Sequence, residues 1–409
     1  MEKIGLFEHI ALTYVKAPDT SVSNDDLYRG LSASAGIPMA EFDKKEAIGT
    51  AGKEYSTLKR RVRWHQQTMK QLGLIENQAR GAWRLTRKGK EMLTPAPASV
   101  VMLGFSTDLG IAIWGACQDV FSRSDEPITL CVTSPPYMLR NPRAYGNLDN
   151  EVGYIDFICR SIEPIVKNLV PGGSVCLNIS QDIFEKGLPS RSMYCERLLL
   201  AIHDRLGLHL MDRLVWESNK PPGPIAWASK QRVQLNVSYE IVYWMTNDPS
   251  RVRSDNRRVL QEHSEQHLRL IKGGGEQRDG SYSDGAYTIR KGKSFSNQTA
   301  GKIPKNILKF SSTCADKRSL AKTVDEMGLP IHGATMPLAL PKFLIEFLTG
   351  AGEDELVVDP FGGWFRTAKA AQSLGRRWMS SEMMGEYVLG GSKGFEGADG
   401  FRLGSAFAV

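Results

Sequence analysis

Ile128-Thr129-Leu130-Cys131-Val132-Thr133-Ser134-Pro135-Pro136-Tyr137 is the stretch whose reading decides the fold. The mostly apolar run from Ile128 to Val132 predicts a buried strand. The five residues that follow then sit where a parallel strand ends and a loop opens, which is where open α/β sheets place their ligands. Two consecutive prolines fix φ and remove two backbone donors, so the loop is stiff and its carbonyls point outward. Ser134 and Tyr137 set a hydroxyl and an aromatic face beside that corner. Such a corner suits a flat, amine-bearing group: Tyr137 stacks on it, while the Ser134 oxygen and the Pro135 carbonyl accept hydrogen bonds from the amine. The exocyclic amine of a nucleobase is a poor nucleophile, because its lone pair is delocalised into the ring. Two acceptors that draw the amine towards tetrahedral geometry localise that pair for attack on a methyl donor. The same residues also read as an ordinary strand-to-loop turn, so their context has to decide.

Composition sets the bounds. A chain of 409 residues is long enough for two or three domains with their own cores. Lys and Arg number 52 against 45 Asp and Glu, a net charge of +7 that fits a polyanionic partner as well as a solvated surface. The six cysteines, at 117, 131, 159, 176, 195 and 314, form no Cys-x-x-Cys pair and mostly lie in apolar stretches. They read as reduced packing residues, with neither disulfides nor a metal site expected. With no signal peptide and no apolar run of membrane-spanning length, a cytoplasmic protein is expected.

Residues 1–95 read as a separate unit. Ile4 to Tyr14 has a helical apolar pattern, and Ser23 followed by Asp26 predicts a helix N-cap. An amphipathic stretch runs from Tyr55 to Leu74, and Ala82–Thr86 after Arg80-Gly81 predicts the return strand of a hairpin. Three helices ending in a hairpin resemble a winged helix, and Gly81-Ala82-Trp83-Arg84-Leu85-Thr86-Arg87-Lys88-Gly89-Lys90 is similar to the N-terminal winged domain of Mrr-type restriction proteins. Arg60, Arg61, Arg63 and Lys70 lie on the long helix, either as a basic face for a nucleic-acid groove or as charges that solvate it. Pro95 and Pro97 mark a linker, expected over 96–109.

From there to the C-terminus the pattern alternates strand and helix, which predicts an α/β domain over 110–409. Strands are expected at Ser174–Ile179 after a Pro171-Gly172-Gly173 turn, at His209–Trp216, at Tyr239–Met245, at Glu355–Val358 and at Trp378–Ser381. Helices are expected from Ile155 to Leu169, over Arg197–Leu206, Pro341–Thr349 and Thr367–Leu374. The stretch 248–310 is poor in apolar residues and rich in Arg, Lys, Gly, Ser and Gln, the mark of a functional or a disordered insertion.

A second constellation follows. Val357-Val358-Asp359-Pro360-Phe361-Gly362-Gly363 reads as a buried strand entering a glycine turn and a helix, the Rossmann-like arrangement for a nucleoside cofactor. Glu382 closes the next strand about 20 residues later, the spacing at which an acid reaches a ribose diol. NAD would suit the same geometry, but no dehydrogenase-type catalytic pair accompanies it.

Taken together these motifs resemble the β-class amino-methylating DNA methyltransferases, and within them the cytosine-N4 group. The likeness includes Tyr145-Gly146-Asn147-Leu148, Gly187-Leu188-Pro189-Ser190-Arg191-Ser192, Pro224-Ile225-Ala226-Trp227 and His332-Gly333-Ala334-Thr335-Met336-Pro337. It runs over roughly 110–390, with the catalytic motif before the cofactor motif, a circularly permuted order. The resemblance implies a Rossmann-like S-adenosylmethionine-dependent methyltransferase fold, permuted in that way and preceded by the winged helix. It implies base handling by Ser134, Pro135, Pro136 and Tyr137, and a cofactor pocket from Thr133, Asp359, Phe361, Gly362, Gly363 and Glu382. His332 and Pro337 would flank the methionine end, although His332 also reads as a turn residue. Duplex DNA is the implied partner, a cognate restriction endonuclease a further one, and 248–310 the implied target-recognition region. Monomer and homodimer both stay open.

The chain departs from the family at three places. Gly363-Trp364-Phe365-Arg366-Thr367 puts bulky groups where the family has small ones, Gly115-Ala116 replaces a Gly-Asp, and Asn178 stands in the place of an acid. Trp364 and Phe365 are expected to turn into the packing beneath the following helix. Adenine N6 as target, RNA as substrate, and a DNA-binding regulator with a decayed methyltransferase domain remain as alternatives.

Overall fold

Burial on both faces is what makes a strand read as a continuous apolar run, and all six residues of Ile128–Thr133 are buried. In the computed structural model this strand lies inside a ten-stranded sheet. The structure describes residues 20–48, 53–71, 74–79, 81–87, 89, 101–137, 150–218, 226–351 and 354–407, with Ile10, Thr13, Tyr14 and Ala17 before them. Expected features at Ile4–His9, Gly73, Arg80, Thr94–Ser99, Tyr145–Leu148 and Pro224-Ile225 lie outside the described residues.

The sheet strands, in chain order, are β1 (Met102–Thr107), β2 (Gly110–Trp114), β3 (Ile128–Thr133), β4 (Leu169–Ile179), β5 (His209–Glu217), β6 (Tyr239–Thr246), β7 (Ile307–Lys309), β8 (Leu356–Asp359), β9 (Arg377–Glu382) and β10 (Arg402–Leu403). Across the sheet they run β7-β5-β6-β4-β3-β8-β9-β2-β1-β10. Strands β4, β3, β8, β9 and β2 are mutually parallel. From β3 the chain crosses through helix Glu151–Lys167 to β4 on one side. From β8 it crosses through helix Arg366–Ser373 to β9 on the other. The order therefore reverses between β3 and β8, and the crevice position of such sheets falls at their carboxyl ends.

Three expectations change. The linker expected over 96–109 contains β1, whose Phe105 is wholly buried, so the sheet starts before the α/β pattern becomes legible. Pro171-Gly172-Gly173 lies within β4 as an irregularity and not before it as a turn. Gly172 has φ 77°, and a Cβ there would meet the Arg251 carbonyl at 1.8 Å, so the backbone from 251 packs directly onto the strand. The segment 248–310 carries ordered pieces: helix Glu265–Lys272, the hairpin Gly280–Tyr282 with Tyr287–Ile289, and β7, which pairs in parallel with β5.

In the N-terminal unit Ser23 caps helix Asn24–Ala35, its hydroxyl accepting from the Asp26 amide at 3.1 Å. Met39–Asp43 and Thr57–Gln71 follow, and Ile75–Ala79 pairs with Ala82–Leu85, which also pairs with Val22–Ser23. Three helices and a wing hairpin enclose a core that includes Tyr14, Leu27, Leu31, Val62, Met69 and Trp83. A further hairpin, Glu46–Ile48 with Lys53–Tyr55, separates the second and third helices. Among the described residues no helix is long and apolar enough to cross a membrane.

Candidate active site at the sheet switch point

The Ser134–Tyr137 corner leaves the carboxyl end of β3, with Pro135 buried and Ser134, Pro136 and Tyr137 partly so. The Tyr137 hydroxyl donates to Glu240 Oε2 at 2.9 Å and lies 3.3 Å from Ser134 Oγ. Asn178 Nδ2, from β4, donates to the same Glu240 oxygen at 3.0 Å and lies 3.3 Å from Ser134 Oγ. Burial pushes the Tyr137 phenol well above its ordinary pKa, and the Glu240 carboxylate adds to this. Tyr137 is thus a neutral hydroxyl and an aromatic face, not a base. Asn178 Oδ1 is buried with no hydrogen-bond partner among the described residues, an acceptor left open beside the corner.

Strand β8 ends in Asp359, which is buried. Its Oδ1 accepts from Thr133 Oγ1 at 2.6 Å and from the Phe361 amide at 3.0 Å. Burial raises its pKa to about 6 against those two bonds. Thr367, in the first turn of the next helix, donates to the Val132 carbonyl at 3.1 Å, a second tie across the switch point. Strand β9 delivers Glu382, whose Oε2 accepts the Gly363 amide at 2.7 Å and whose Oε1 accepts the Met384 amide at 2.8 Å. Burial raises the Glu382 pKa to about 7. An ionised carboxylate has about four acceptor positions. With the Met383 amide also bonded to it, Glu382 keeps room for a further donor, which suits a ribose hydroxyl.

The glycines are demanded by the protein itself. A Cβ on Gly362 would fall 2.6 Å from Ser380 Oγ and 2.9 Å from Phe365 Cε1, and one on Gly363, at φ 52°, would fall 2.9 Å from His332 Nε2. His332 thus stands against the glycine turn, with its ring 4.6 Å from that of Tyr387. Its Nδ1 accepts the Ala334 amide at 3.3 Å, which in the neutral ring leaves the proton on Nε2. Pro337 is buried further along, its carbonyl accepting the Leu340 amide at 3.1 Å at the start of helix Ala339–Leu348. Between them Thr335 Oγ1 is buried without a partner among the described residues.

Trp364 and Phe365 are buried against the glycine turn and not exposed in it, the Trp364 ring 6.2 Å from that of His332 and the Phe365 ring against Gly362. Trp364 packs with Leu320, Val324, Met384 and Tyr387. Phe365 lies edge-on to Phe105 at 5.1 Å, in the left-handed region at φ 55°. Gly390 and Gly391 make space for them: a Cβ on Gly391 would come within 2.6 Å of the Phe365 ring. The bulk at 364–365 is absorbed by small residues on helix Gly385–Ser392.

The crevice gathers Thr133, Ser134, Tyr137, Asp359, Phe361, Gly362, Gly363, Glu382 and His332 around the ends of three strands. Among the described residues no contact places Pro337 against the glycine turn. Arg60, Arg61, Arg63 and Lys70 are exposed on helix Thr57–Gln71 of the N-terminal unit. Glu240 belongs to no motif quoted from the sequence. Its one signal was a lone carboxylate in the otherwise apolar run Tyr239–Met245 of an expected strand.

Residues 128–391 match the DNA methylase family and residues 9–94 the Mrr N-terminal domain. The type II methyltransferase M.PvuII of Proteus hauseri is 34% identical over 265 residues, 64% of this chain and 76% of that protein. The solved structure of the cytosine-N4-specific PvuII DNA methyltransferase aligns with a TM-score of 0.55 and 28% identity over 71% of this chain and 87% of that one. With a proline corner and a glycine turn joined across the switch point, and a family match over more than half its length, the chain belongs to the N6/N4 DNA methylase family.

Proposed function

We propose that this chain transfers the methyl group of S-adenosylmethionine to cytosine N4 at a specific site in duplex DNA. The observation that carries the reading is the Thr133–Asp359 hydrogen bond, which fixes the base-handling corner to the cofactor strand. The likeness to a cytosine-N4-specific enzyme supports the choice of base. The open acceptors of Glu382, the glycine turn and the unmet Thr335 hydroxyl fit the cofactor's ribose and polar end. When bound, S-adenosylmethionine supplies an electrophilic methyl group.

The chain's own residues do the rest. A base inside a duplex is out of reach, so it is extruded at a cost of a few kcal/mol. Tyr137 stacking and the Ser134 and Pro135 acceptors offset that cost and shape the amine. Direct displacement needs alignment above all, and no cysteine sits at the corner to form a covalent adduct. Residues 1–95 act as the DNA grip, 248–310 as the target-recognition region, and the protein works on cytoplasmic DNA alongside a cognate restriction endonuclease.

Digesting methylated DNA to nucleosides and analysing them by mass spectrometry tests this. N4-methylcytosine is expected; N6-methyladenine would give the adenine reading, and transfer to RNA but not duplex DNA would overturn the substrate class. Long-read mapping of DNA from expressing cells gives the sequence context. The regulator reading had only the altered glycine turn in its favour, and Trp364 and Phe365 lie in the core.

A further inference from the structure

Glu240 is 6% exposed, a carboxylate sunk between β4 and β5 on β6. Buried carboxylates are uncommon unless partnered, and this one is partnered by the catalytic corner. On the antiparallel β4–β6 pair Val242 faces Asn178, so Glu240, two residues away, emerges on the same sheet face. The hydrogen bonds then have a forced direction. The Asn178 amide must turn its NH2 to the carboxylate 3.0 Å away, because a carbonyl there would face a second acceptor. The single Tyr137 proton goes to Glu240 at 2.9 Å. The phenol oxygen is then left as an acceptor: Ser134 Oγ, 3.3 Å away, donates its own proton to it, and Asn178 Nδ2 approaches it at 3.4 Å. With its proton committed and one lone pair facing Asn178 Nδ2 at 3.3 Å, Ser134 turns its other lone pair outward.

We propose that Glu240 is a positioning residue for methyl transfer: its charge sets the proton order Ser134 to Tyr137 to Glu240, so that Ser134 meets the target amine as an acceptor. The inference rests on the methyltransferase reading above. Without the negative charge, Tyr137 can turn its proton towards Ser134. The serine proton is then displaced towards the incoming amine, donor against donor.

The test is single-turnover methylation of duplex DNA by the full chain, at saturating cofactor and DNA, for wild type, Glu240→Gln, Tyr137→Phe and the double variant. Glu240→Gln keeps size and shape. It is expected to keep its melting temperature and its cofactor and DNA dissociation constants, while the methylation rate falls about tenfold to a hundredfold. Because Glu240 acts through Tyr137, the double variant is expected to match Tyr137→Phe within about twofold. A wild-type rate in Glu240→Gln, or fully multiplied losses in the double variant, would overturn the inference. Should Glu240→Gln not fold, Tyr137→Phe still decides, since it cuts the same chain while leaving the Glu240–Asn178 pair; a wild-type rate there overturns it as well. Wild type inactive on every nucleic acid would overturn the methyltransferase reading and this inference with it, whereas active wild type with unimpaired variants overturns this inference alone.

Discussion

Thr133 and Asp359 are 226 positions apart in the chain and 2.6 Å apart at their side-chain oxygens. The bond joins the last residue of β3 to the last of β8, so the strand ends that carry the two chemical motifs cannot move independently. Thr133→Val keeps the shape and removes the donor. The buried carboxylate then loses a charge-assisted bond, a cost of about 1.5–3 kcal/mol. Thr133 lowers the Asp359 pKa, so the variant's folded pKa rises above about 6. The loss relative to wild type is therefore full only above the variant's own raised pKa and shrinks below pH 6, where the carboxyl is protonated in both. Urea unfolding at pH 5 and pH 8 measures both; an equal loss at the two values would show that the bond is not the cause.

Burial gives Asp359 and Glu382 a joint effect on stability. Their folded pKa values, about 6 and about 7, stand above the ordinary 3.8 and 4.5. A raised pKa contributes stability that is fully present below the unfolded value and is lost as pH rises through the folded one. Wild type should thus lose stability from about pH 4 to about pH 7, by up to roughly 3 kcal/mol per group. Asp359→Asn and Glu382→Gln should each flatten their part of that slope, read from unfolding midpoints across the range.

Cofactor affinity should run the other way. On the proposed reading the Glu382 carboxylate accepts from the cofactor's diol, best when ionised, and its pKa is about 7. Affinity for S-adenosylmethionine, by calorimetry, should rise with pH and level off above pH 7. Glu382→Ala should weaken binding by a few kcal/mol or less and remove that rise. Unchanged binding would place the cofactor elsewhere.

The two motifs were legible because each is a buried apolar run ending in residues that chemistry restricts, and because parallel strands place such ends together. Strand β1 was not: Met102-Leu103-Gly104-Phe105 has a glycine at its centre and no alternation to read. Strand β7 is three residues long, below the length at which a period shows. Glu240 escaped for a different reason. Its role depends on the β4–β6 register, and nothing local to Tyr239-Glu240-Ile241 encodes its distance to Tyr137. The ring positions of Trp364 and Phe365 likewise depend on Gly390-Gly391, a helix away.

Substitutions at the corner should separate chemistry from cofactor binding. Ser134→Ala and Tyr137→Ala should abolish or greatly reduce methyl transfer and leave calorimetric S-adenosylmethionine affinity nearly intact. Equal loss of cofactor affinity in both would reassign the corner.

Removing residues before Val100 should lower DNA affinity without changing the methylated base. On helix Thr57–Gln71 the inward side carries Val62, Gln66 and Met69. At about 100° per residue Arg60 stands opposite them, with Arg61 on one flank and Arg63 and Lys70 on the other. Such spread charges grip phosphates, so the truncated chain should show a shallower salt dependence of binding. Full affinity with the full salt slope would make the unit a dimerisation or docking domain instead.

Phe365 decides whether the altered glycine turn is a defect or a packing solution. The side chain is wholly buried and its backbone is left-handed. Phe365→Ala should cost about 3–5 kcal/mol, since it opens a cavity and keeps the strained backbone. Phe365→Gly loses the same ring but relieves a left-handed conformation that costs an L-residue about 1–2 kcal/mol. It also gives the unfolded chain more freedom, which takes back part of that gain. Glycine should therefore be about 1 kcal/mol less damaging than alanine, an order opposite to that found in ordinary helix or strand positions. Cofactor affinity should improve in neither, because the ring is wholly buried among Phe105, Gly391 and Gly362 and occupies no exposed space. Urea unfolding gives the order and calorimetry the affinity. If Phe365→Gly instead binds S-adenosylmethionine markedly tighter and switches methylation on, the native pocket is blocked and the regulator reading takes over.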